Sequence, residues 1–187
     1  MKTLHKVLFV LAILIANCIS ASAIEFTDNG VRYSVNSDNK TVTVAGYPSG
    51  SKPTGDLTIP ESVTYGGISY PVTSIGGQAF YGCYGLTSVT IGNSVTSIND
   101  RAFWYCSGLT SVTIPNSVTS IGSQAFRNCS GLTRIDAYPN PEKVRTGEDA
   151  FDGVPKDGTL HVLPKYLSAY RTASQWCEFT NIKGDLT

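Results

Sequence analysis

The stretch RAFWYCSGLT, residues 101–110, has two close copies in the same chain, QAFYGCYGLT at 78–87 and QAFRNCSGLT at 124–133. Ala-Phe, Cys and Gly-Leu-Thr recur in all three copies, whereas the two residues after Phe change from Tyr-Gly to Trp-Tyr to Arg-Asn. The chain therefore repeats one local structure and varies a few fixed positions within it.

The repeat extends beyond this stretch and has a period of 23 residues. Units that begin at Val72 and Val95 agree at 16 of 23 positions, and a third unit begins at Val118. A degenerate copy follows around Ala150-Phe151, and a partial earlier one is LTIPESV at 57–63. Self-similarity at this period predicts a stacked solenoid, in which neighbouring units bury one another's apolar residues.

Each unit contains a strand signature, which in the first full unit is LTSVTI at 86–91. Alternation along a strand places Val89 and Ile91 inside and Ser88 and Thr90 outside. The preceding segment, AFYGC at 79–83, spaces its apolar residues at i and i+3, which predicts a single helical or 3₁₀ turn with one buried side. The predicted fold is strand-rich with short helical turns.

The pattern S-V-T-x-I-x-x-x-A-F-x-x-C-x-x-L-x-x-V-x-I-P, which recurs within residues 57–163, resembles the BspA-like leucine-rich repeat family of secreted and surface proteins. The segment LHVLPKYLSAYRTASQWCEFTNI at 160–182 also resembles the closing segment of such proteins. The resemblance implies a repeat solenoid, a right-handed leucine-rich-repeat superhelix of about four to five repeats with a cap at each end. It also implies adhesion to host matrix proteins or to other bacteria.

The N-terminus has the features of a secretory signal peptide over residues 1–23: a basic start, an apolar run from Val7 to Ile15 and the triplet Ala21-Ser22-Ala23. The apolar run is shorter than the roughly 20 residues of a membrane span, so stable membrane insertion is not expected. Lipidation at Cys18 is an alternative that the preceding Asn disfavours. The protein is predicted to be exported, and to be either secreted or associated with the cell surface.

The mature chain is predicted to consist of an N-terminal cap at 24–56, repeats at 57–163 and a C-terminal capping segment at 164–187. The first cap contains two runs of alternating apolar and polar residues, which predict a hairpin. Gly66-Gly67 reads as a second tight turn. Trp176, Cys177 and Phe179 are expected to cover the last repeat.

Charge and cysteine content exclude several classes of function. Without residues 1–23 the chain has 12 basic and 14 acidic side chains and no basic cluster, so nucleic acid is not an expected partner. Cys83, Cys106 and Cys129 occupy one site in successive units, which predicts buried free thiols because parallel side chains rarely meet disulfide geometry. The same column does not supply four converging ligands for zinc, and no metal or cofactor is predicted.

Catalysis is not predicted either. His161 is expected on the outward side of a strand, in solvent, and pairing it with Asp136 would give a base and an orienting carboxylate without a nucleophile beside them. Gly66-Gly67 and Gly76-Gly77 lack a following phosphate-binding motif. We therefore predict a protein that is not an enzyme.

Two outward surfaces are candidates for binding. Aromatic and Arg side chains are enriched at binding hot spots, and the first surface carries them beside the Ala-Phe-x-x-Cys turns: Tyr81, Tyr84, Trp104, Tyr105 and Arg127. An alternative interpretation is that Trp104 and Tyr105 pack over neighbouring turns. The second surface is the outward face of the strands, represented by Thr90, Thr113, Arg134, Asp136 and His161.

Three hypotheses for function follow from these observations. The first is a non-catalytic module that recognises a protein ligand at a host or bacterial surface. The second is a carbohydrate-binding surface protein, because exposed aromatic rings also stack on sugars. The third is a structural component of the cell envelope without a soluble ligand.

Overall fold

The computed structural model describes residues 23–187, so the predicted signal peptide lies outside the described residues except for Ala23. The strands are β1 (Glu25–Asp28), β2 (Val31–Val35), β3 (Val42–Gly46), β4 (Gly55–Ile59), β5 (Ser62–Tyr65), β6 (Ile68–Ile75), β7 (Leu86–Ile91), β8 (Ser97–Ile98), β9 (Ser111–Ile114), β10 (Ser120–Ile121), β11 (Arg134–Ala137), β12 (Arg145–Thr146), β13 (Thr159–Val162) and β14 (Asn181–Gly184). A single-turn helix α1 (Leu167–Tyr170) and 3₁₀ turns at Pro141–Lys143, Pro164–Tyr166 and Trp176–Glu178 complete the described part.

The strands form two sheets that run along the stack. One is a parallel sheet in the order β14-β13-β11-β9-β7-β4, and the other has the order β1-β2-β3-β6-β8-β10-β12, with β5 paired to β6. Each full unit gives a short strand to the second sheet, then a turn, then a longer strand to the first. The strand-rich fold with parallel sheets and little helix agrees with the prediction of stacked repeats.

Equivalent residues of successive units pair directly. Ser88 lies opposite Ser111, Val89 opposite Val112, and Ile135 opposite Leu160. Threonine hydroxyls reinforce this register: Thr110 Oγ1 donates to the carbonyl oxygen of Thr87 at 2.8 Å, a contact that crosses one period. The repeated Thr residues thus bond each unit to the one before it.

The core of the stack is a column of phenylalanines at the repeated Ala-Phe positions. Phe80, Phe103, Phe126 and Phe151 are each at most 1% exposed. Successive ring centroids lie 5.2, 5.2 and 5.6 Å apart, with interplanar angles of 11°, 7° and 2°. Phe103 and Phe126 therefore each pack between the rings of the two neighbouring units, and no unit buries its own ring alone.

The cysteines form a second buried column, and the prediction of free thiols there is confirmed. Cys106 Sγ donates to the Phe80 carbonyl oxygen and Cys129 Sγ to that of Phe103, both at 3.1 Å. Burial raises the pKa of the Cys83 thiol to about 12. The expectation that Cys177 covers the last repeat is wrong, because this thiol is exposed.

The segment between the two strands of a unit is a series of turns, so the predicted helical or 3₁₀ turn is wrong. Cys83 N donates to Phe80 O at 3.1 Å, as it would in a 3₁₀ turn. However, Gln78 and Gly82 have φ angles of 59° and 63°, in the left-handed region. A left-handed residue on each side of residues 79–81 limits any right-handed helical run there to three residues, so the segment forms turns rather than a regular helix.

At the N-terminal end, the predicted hairpins are confirmed. β2 pairs antiparallel with β3, and β5 pairs antiparallel with β6 around Gly66-Gly67, whose φ angles are both positive, 59° and 80°. Strand β1 has no counterpart in the sequence prediction. It adds to β2 and brings Phe26 to 4.4 Å from the Tyr65 ring.

At the C-terminal end, the expected contact of Trp176 and Phe179 with the last repeat is confirmed, since their rings lie 4.7 and 5.9 Å from that of Phe151. In earlier units the N–H at the Ala of Ala-Phe bonds a carbonyl three residues back, as Ala125 N does with Gly122 O. In the last unit the Gln175 amide lies between these groups: it accepts from Ala150 N at 2.8 Å and donates to Gly147 O.

Among residues 23–187, no helix is long and apolar enough to cross a lipid bilayer.

Candidate binding surface

The turns between the two sheets present their variable side chains outward, and we call this surface the turn face. Its backbone is fixed by hydrogen bonds between units: Gly82 N donates to Trp104 O at 2.7 Å, and Tyr105 N donates to Arg127 O at 2.9 Å. The variable side chains therefore project from a rigid ladder. Rigid support of this kind is what a recognition surface requires.

Three of the predicted site residues come together in one aromatic cluster. The Tyr81 ring lies 5.3 Å from Trp104 and 6.3 Å from Tyr105, and the Trp104 and Tyr105 rings lie 5.3 Å apart. Tyr81 and Tyr105 keep 42% and 40% of their surface exposed. The cluster is open to solvent on its outer side.

Trp104 is half-buried within this cluster, so the packing interpretation holds for part of its surface. Arg101 covers the indole, with its guanidinium carbon 5.0 Å from the ring centroid. The indole N–H is shielded from solvent and has no acceptor among the described residues. Arg101 was not among the predicted site residues, although it precedes Trp104 by three residues in the unit.

Tyr84 is the most exposed aromatic residue of the turn face, at 59%. Lys52 lies 5.1 Å from its ring centroid and donates from Nζ to the Gly82 carbonyl oxygen at 2.9 Å. Lys52 comes from the loop that precedes β4, outside the repeats. No repeat pattern could therefore have indicated it.

Tyr105 occupies a backbone position that disfavours bulky side chains. Its φ is 60°, and the equivalent positions in other units have Gly82, Asn128 and Gly153 with φ angles of 63°, 58° and 71°. Glycine and asparagine tolerate this left-handed conformation, whereas a bulky residue there is an outlier. The chain thus places an aromatic ring on the turn face at the expense of backbone strain.

Arg127, the fifth predicted residue, is engaged elsewhere. It follows Trp104 in the column, and its guanidinium lies 3.2 Å from Asp149 and 3.0 Å from Asp152. Those carboxylates belong to the next unit. Arg127 therefore connects two units on the turn face and is separate from the aromatic cluster.

The outward face of the longer strands, which we call the strand face, consists of two rows in register. One row contains Asp56, Ser88, Ser111, Arg134, Thr159 and Asn181, and the other Thr58, Thr90, Thr113, Asp136, His161 and Lys183. The predicted residues Thr90, Thr113, Arg134, Asp136 and His161 all lie on it. Charge is concentrated at its C-terminal end.

The pairing of His161 with Asp136 considered from the sequence does not form. Asp136 lies beside His161 in the ladder, but its carboxylate contacts Arg134 at 3.0 Å on its own strand. His161 Nδ1 instead lies 2.7 Å from Asp185 Oδ1. This hydrogen bond lowers the pKa of the Asp185 carboxyl group.

His161 is also less accessible than predicted, with 13% of its side chain exposed. The reason is β14, which pairs with β13 and places Lys183 beside the imidazole. Neither β14 nor Asp185 has a signature in the repeat. Among residues 23–187, no group of three or more His, Cys, Asp and Glu side chains is arranged to hold a metal ion.

Residues 56–162 match the protein-family model described as "BspA type Leucine rich repeat region (6 copies)". None of the curated proteins compared with the chain matches it.

The chain is similar to a leucine-rich repeat protein from Bacteroides capillosus, with 30% identity and a TM-score of 0.61; the match covers 74% of this chain and 97% of that one. It is also similar to a leucine-rich cell surface protein from Faecalibacterium prausnitzii, with 28% identity, a TM-score of 0.52 and coverage of 77% and 46%. A leucine-rich repeat protein from T. pallidum shares the fold at 19% identity and a TM-score of 0.52, with coverage of 86% and 82%.

The repeats, the parallel sheets and these matches agree on one architecture, that of binding and recognition modules typical of bacterial surface and secreted proteins. The chain belongs to the BspA-type leucine-rich repeat family.

Proposed function

We propose that this protein is an exported, non-catalytic recognition module that binds a protein ligand at a host or bacterial surface through its turn face. The strained Tyr105 is the observation that carries this proposal. Three equivalent positions have Gly or Asn, and the fourth keeps a Tyr that is 40% exposed. Strain retained at an exposed aromatic residue is typical of functional sites.

The chemistry of the cluster supports protein recognition. Exposed Tyr and Trp rings give a large rigid contact area with little loss of conformational entropy on binding. Tyr81, Trp104 and Tyr105 already hold one another in place through ring contacts. The strand face offers mainly small hydroxyl groups over its first units, and such groups contribute little at a wet surface.

Export and architecture belong to the same proposal. Residues 1–23 act as a signal peptide, residues 24–56 and 164–187 cap the repeats at 57–163, and the repeats, about four to five in number, wind as a right-handed superhelix. Capping is needed because the end faces of a solenoid are otherwise apolar.

The test is a pull-down with the mature chain from its native surroundings, followed by two multiple variants. Changing Tyr81, Tyr84, Trp104 and Tyr105 to Ser should preserve the circular dichroism spectrum and abolish binding to the captured protein. Changing Thr90, Thr113, Asp136 and His161 to Ala should weaken binding much less. Loss of binding in the strand-face variant alone would assign the site to the strands and reduce the aromatic cluster to packing.

Carbohydrate binding is the second candidate, because the exposed faces of Tyr81 and Tyr84 could stack on sugar rings. A glycan array tested alongside a panel of matrix and serum proteins separates the two. A specific glycan signal that disappears in the Tyr and Trp variant would replace the protein-ligand proposal. Negative results on both arrays and in the pull-down would favour a structural role in the envelope.

A further inference from the structure

A groove runs along the stack beside the aromatic cluster, and we call it the axial groove. Its first part has a volume of about 470 Å³ and is lined by Gln78, Arg101, Gln124 and Glu148, among others. A second concavity of about 300 Å³ continues it and includes Asp149, Asp152 and Glu178. Glu148 lines both parts, so the two concavities adjoin along the turns.

One left-handed position recurs from unit to unit along the groove. Gln78, Arg101, Gln124, Asp149 and Gln175 have φ angles of 59°, 58°, 60°, 53° and 64°. From Gln78 to Gln175 the groove spans four unit steps, or about 19 Å at the spacing of paired strands. An extended polypeptide covers that length with about six residues.

The groove is acidic. Its lining contains five carboxylates, those of Asp100, Glu148, Asp149, Asp152 and Glu178, and one cation, Arg101. Arg127 pairs with Asp149 and Asp152, and Lys156 lies 3.2 Å from Glu178. Even with both of these cations included, the carboxylates outnumber the cations by five to three.

Arg101 joins the groove to the aromatic cluster. Its side chain lines the groove, lies over Trp104 at 5.0 Å and donates from Nε to Gln124 Oε1 at 2.8 Å. A chain in the groove would therefore have aromatic rings beside its first residues and carboxylates beside its later ones.

We propose, building on the turn-face site above, that the axial groove binds an extended, lysine- or arginine-bearing segment of the partner protein, with apolar side chains of that segment resting on the aromatic cluster. Charge complementarity selects this occupant. The same negative charge repels nucleic acid and sulfated or sialylated glycans, which makes them poor alternatives.

The test uses the mature chain and three synthetic peptides of about ten residues, alternating Pro with Lys, with Gln or with Glu; proline keeps all three extended. Binding is followed by fluorescence anisotropy at low ionic strength and by tryptophan emission. Both tryptophans emit, and a change on binding is assigned to Trp104 because Trp176 is buried. The Pro-Lys peptide should bind, should weaken as salt is added, and should change Trp104 emission. The Pro-Gln peptide should bind at least about tenfold more weakly, and the Pro-Glu peptide should not bind.

A matched pair of variants locates the binding. Asp100→Asn with Glu148→Gln removes two negative charges from the groove and should weaken Pro-Lys binding about tenfold. Glu142→Gln with Asp157→Asn removes two exposed negative charges elsewhere and should leave it unchanged. Equal weakening by both pairs, or equal affinity for the Pro-Lys and Pro-Gln peptides, would overturn the inference.

The same variants distinguish this inference from the proposed function. If the Tyr and Trp variant loses the captured partner while the Asp100 and Glu148 variant keeps it, the turn face remains the binding site. The proposal that a basic segment of the partner lies in the axial groove is then wrong. If the captured partner still binds the Tyr and Trp variant, the turn-face site itself is wrong, whatever the peptides do.

Discussion

The turn face and the strand face are two outward surfaces of the same repeats, yet they differ in what their side chains do. On the strand face, Ser88 and Ser111 and likewise Thr90 and Thr113 repeat in register as small polar groups. On the turn face, equivalent positions hold Tyr81, then Trp104, then Arg127. A stacked architecture fixes backbone and core in every unit and leaves each outward position free to vary.

The difference shows that variation is concentrated where the backbone is most constrained. Each turn carries two left-handed residues and bonds the next turn through its backbone, and the ring contacts of Tyr81 and the ion pairs of Arg127 add side-chain links between units. Outward strand positions are uniformly Ser and Thr on β7 and β9 and become charged on β11 and β13. Surface variation alone therefore does not identify a site, and the predictions below test which contacts stabilise the fold.

The largest expected effect is on the buried phenylalanine column, which lies behind the turn face. Phe103→Ala removes a fully buried ring stacked 5.2 Å from both Phe80 and Phe126 and should cost about 3–5 kcal/mol of unfolding free energy. Urea unfolding followed by circular dichroism measures it. Thr90→Ala on the strand face is the control and should change stability by less than about 0.5 kcal/mol. An unchanged transition for Phe103→Ala would mean that the inward side of the turn is assigned wrongly.

The next effect concerns how each surface ends. The strand face ends with strand β14. At the same end, the turns of the turn face are completed by the Gln175 side chain instead of a further turn. Gln175→Ala leaves Ala150 N–H and Gly147 C=O without their partner and should cost about 1–3 kcal/mol. Amide hydrogen exchange at Ala150 should also become faster.

Gln124→Ala is the matched control for Gln175, because it has the same backbone conformation and its amide oxygen accepts only an exposed bond from Arg101. We expect it to cost less than about 1 kcal/mol. Equal costs for the two substitutions would argue against a capping role for Gln175.

A smaller effect tests the strain at Tyr105. Tyr105→Asn and Tyr105→Ala both remove the ring, but Asn tolerates φ near 60° and Ala does not. The Asn variant should therefore be more stable than the Ala variant by about 1 kcal/mol, as measured by thermal unfolding. At Thr113, in a strand, the order of Asn and Ala should not favour Asn. An Ala variant as stable as the Asn variant would remove the strain that supports the proposed site.

The sequence predicts those features that recur at a fixed offset. The period identifies the Phe and Cys columns and the outward Ser and Thr rows, because each depends on one position copied from unit to unit. It also predicts the exposure of Tyr81, Tyr84 and Tyr105, whereas Trp104 and Arg127 are half-buried. Features formed by residues outside the period are absent from such a prediction: Lys52 beside Tyr84, Gln175 under the last unit and β14 beside β13.

The error in the turns has a different cause. Apolar residues at i and i+3 fit a 3₁₀ turn, but the same spacing also fits a series of turns interrupted by left-handed residues. The residues at the left-handed positions include Gln78, Arg101 and Tyr105. These residue types do not indicate a positive φ, whereas the glycine at Gly82 does. Backbone conformation at these positions is set by stacking between units, and local sequence carries little of that information.

The smallest expected effect is at the C-terminal end of the strand face, where Asp185 bonds His161. Its pKa lies below the ordinary value in the folded protein because His161 donates to the carboxylate. A lowered folded-state pKa means that the contact contributes stability above the pKa of the unfolded chain, about 3.9, and that this stability is lost as pH falls through the folded value. The carboxylate is exposed, so the effect on unfolding is small, and NMR titration of the Asp185 carboxyl group is the direct measurement. His161→Ala should raise the midpoint toward 3.9, whereas Asp136→Asn, which removes the neighbour without the hydrogen bond, should move it much less. If Asp136→Asn instead produces the larger change in the Asp185 midpoint, His161 interacts mainly with its neighbour in the strand ladder rather than with Asp185.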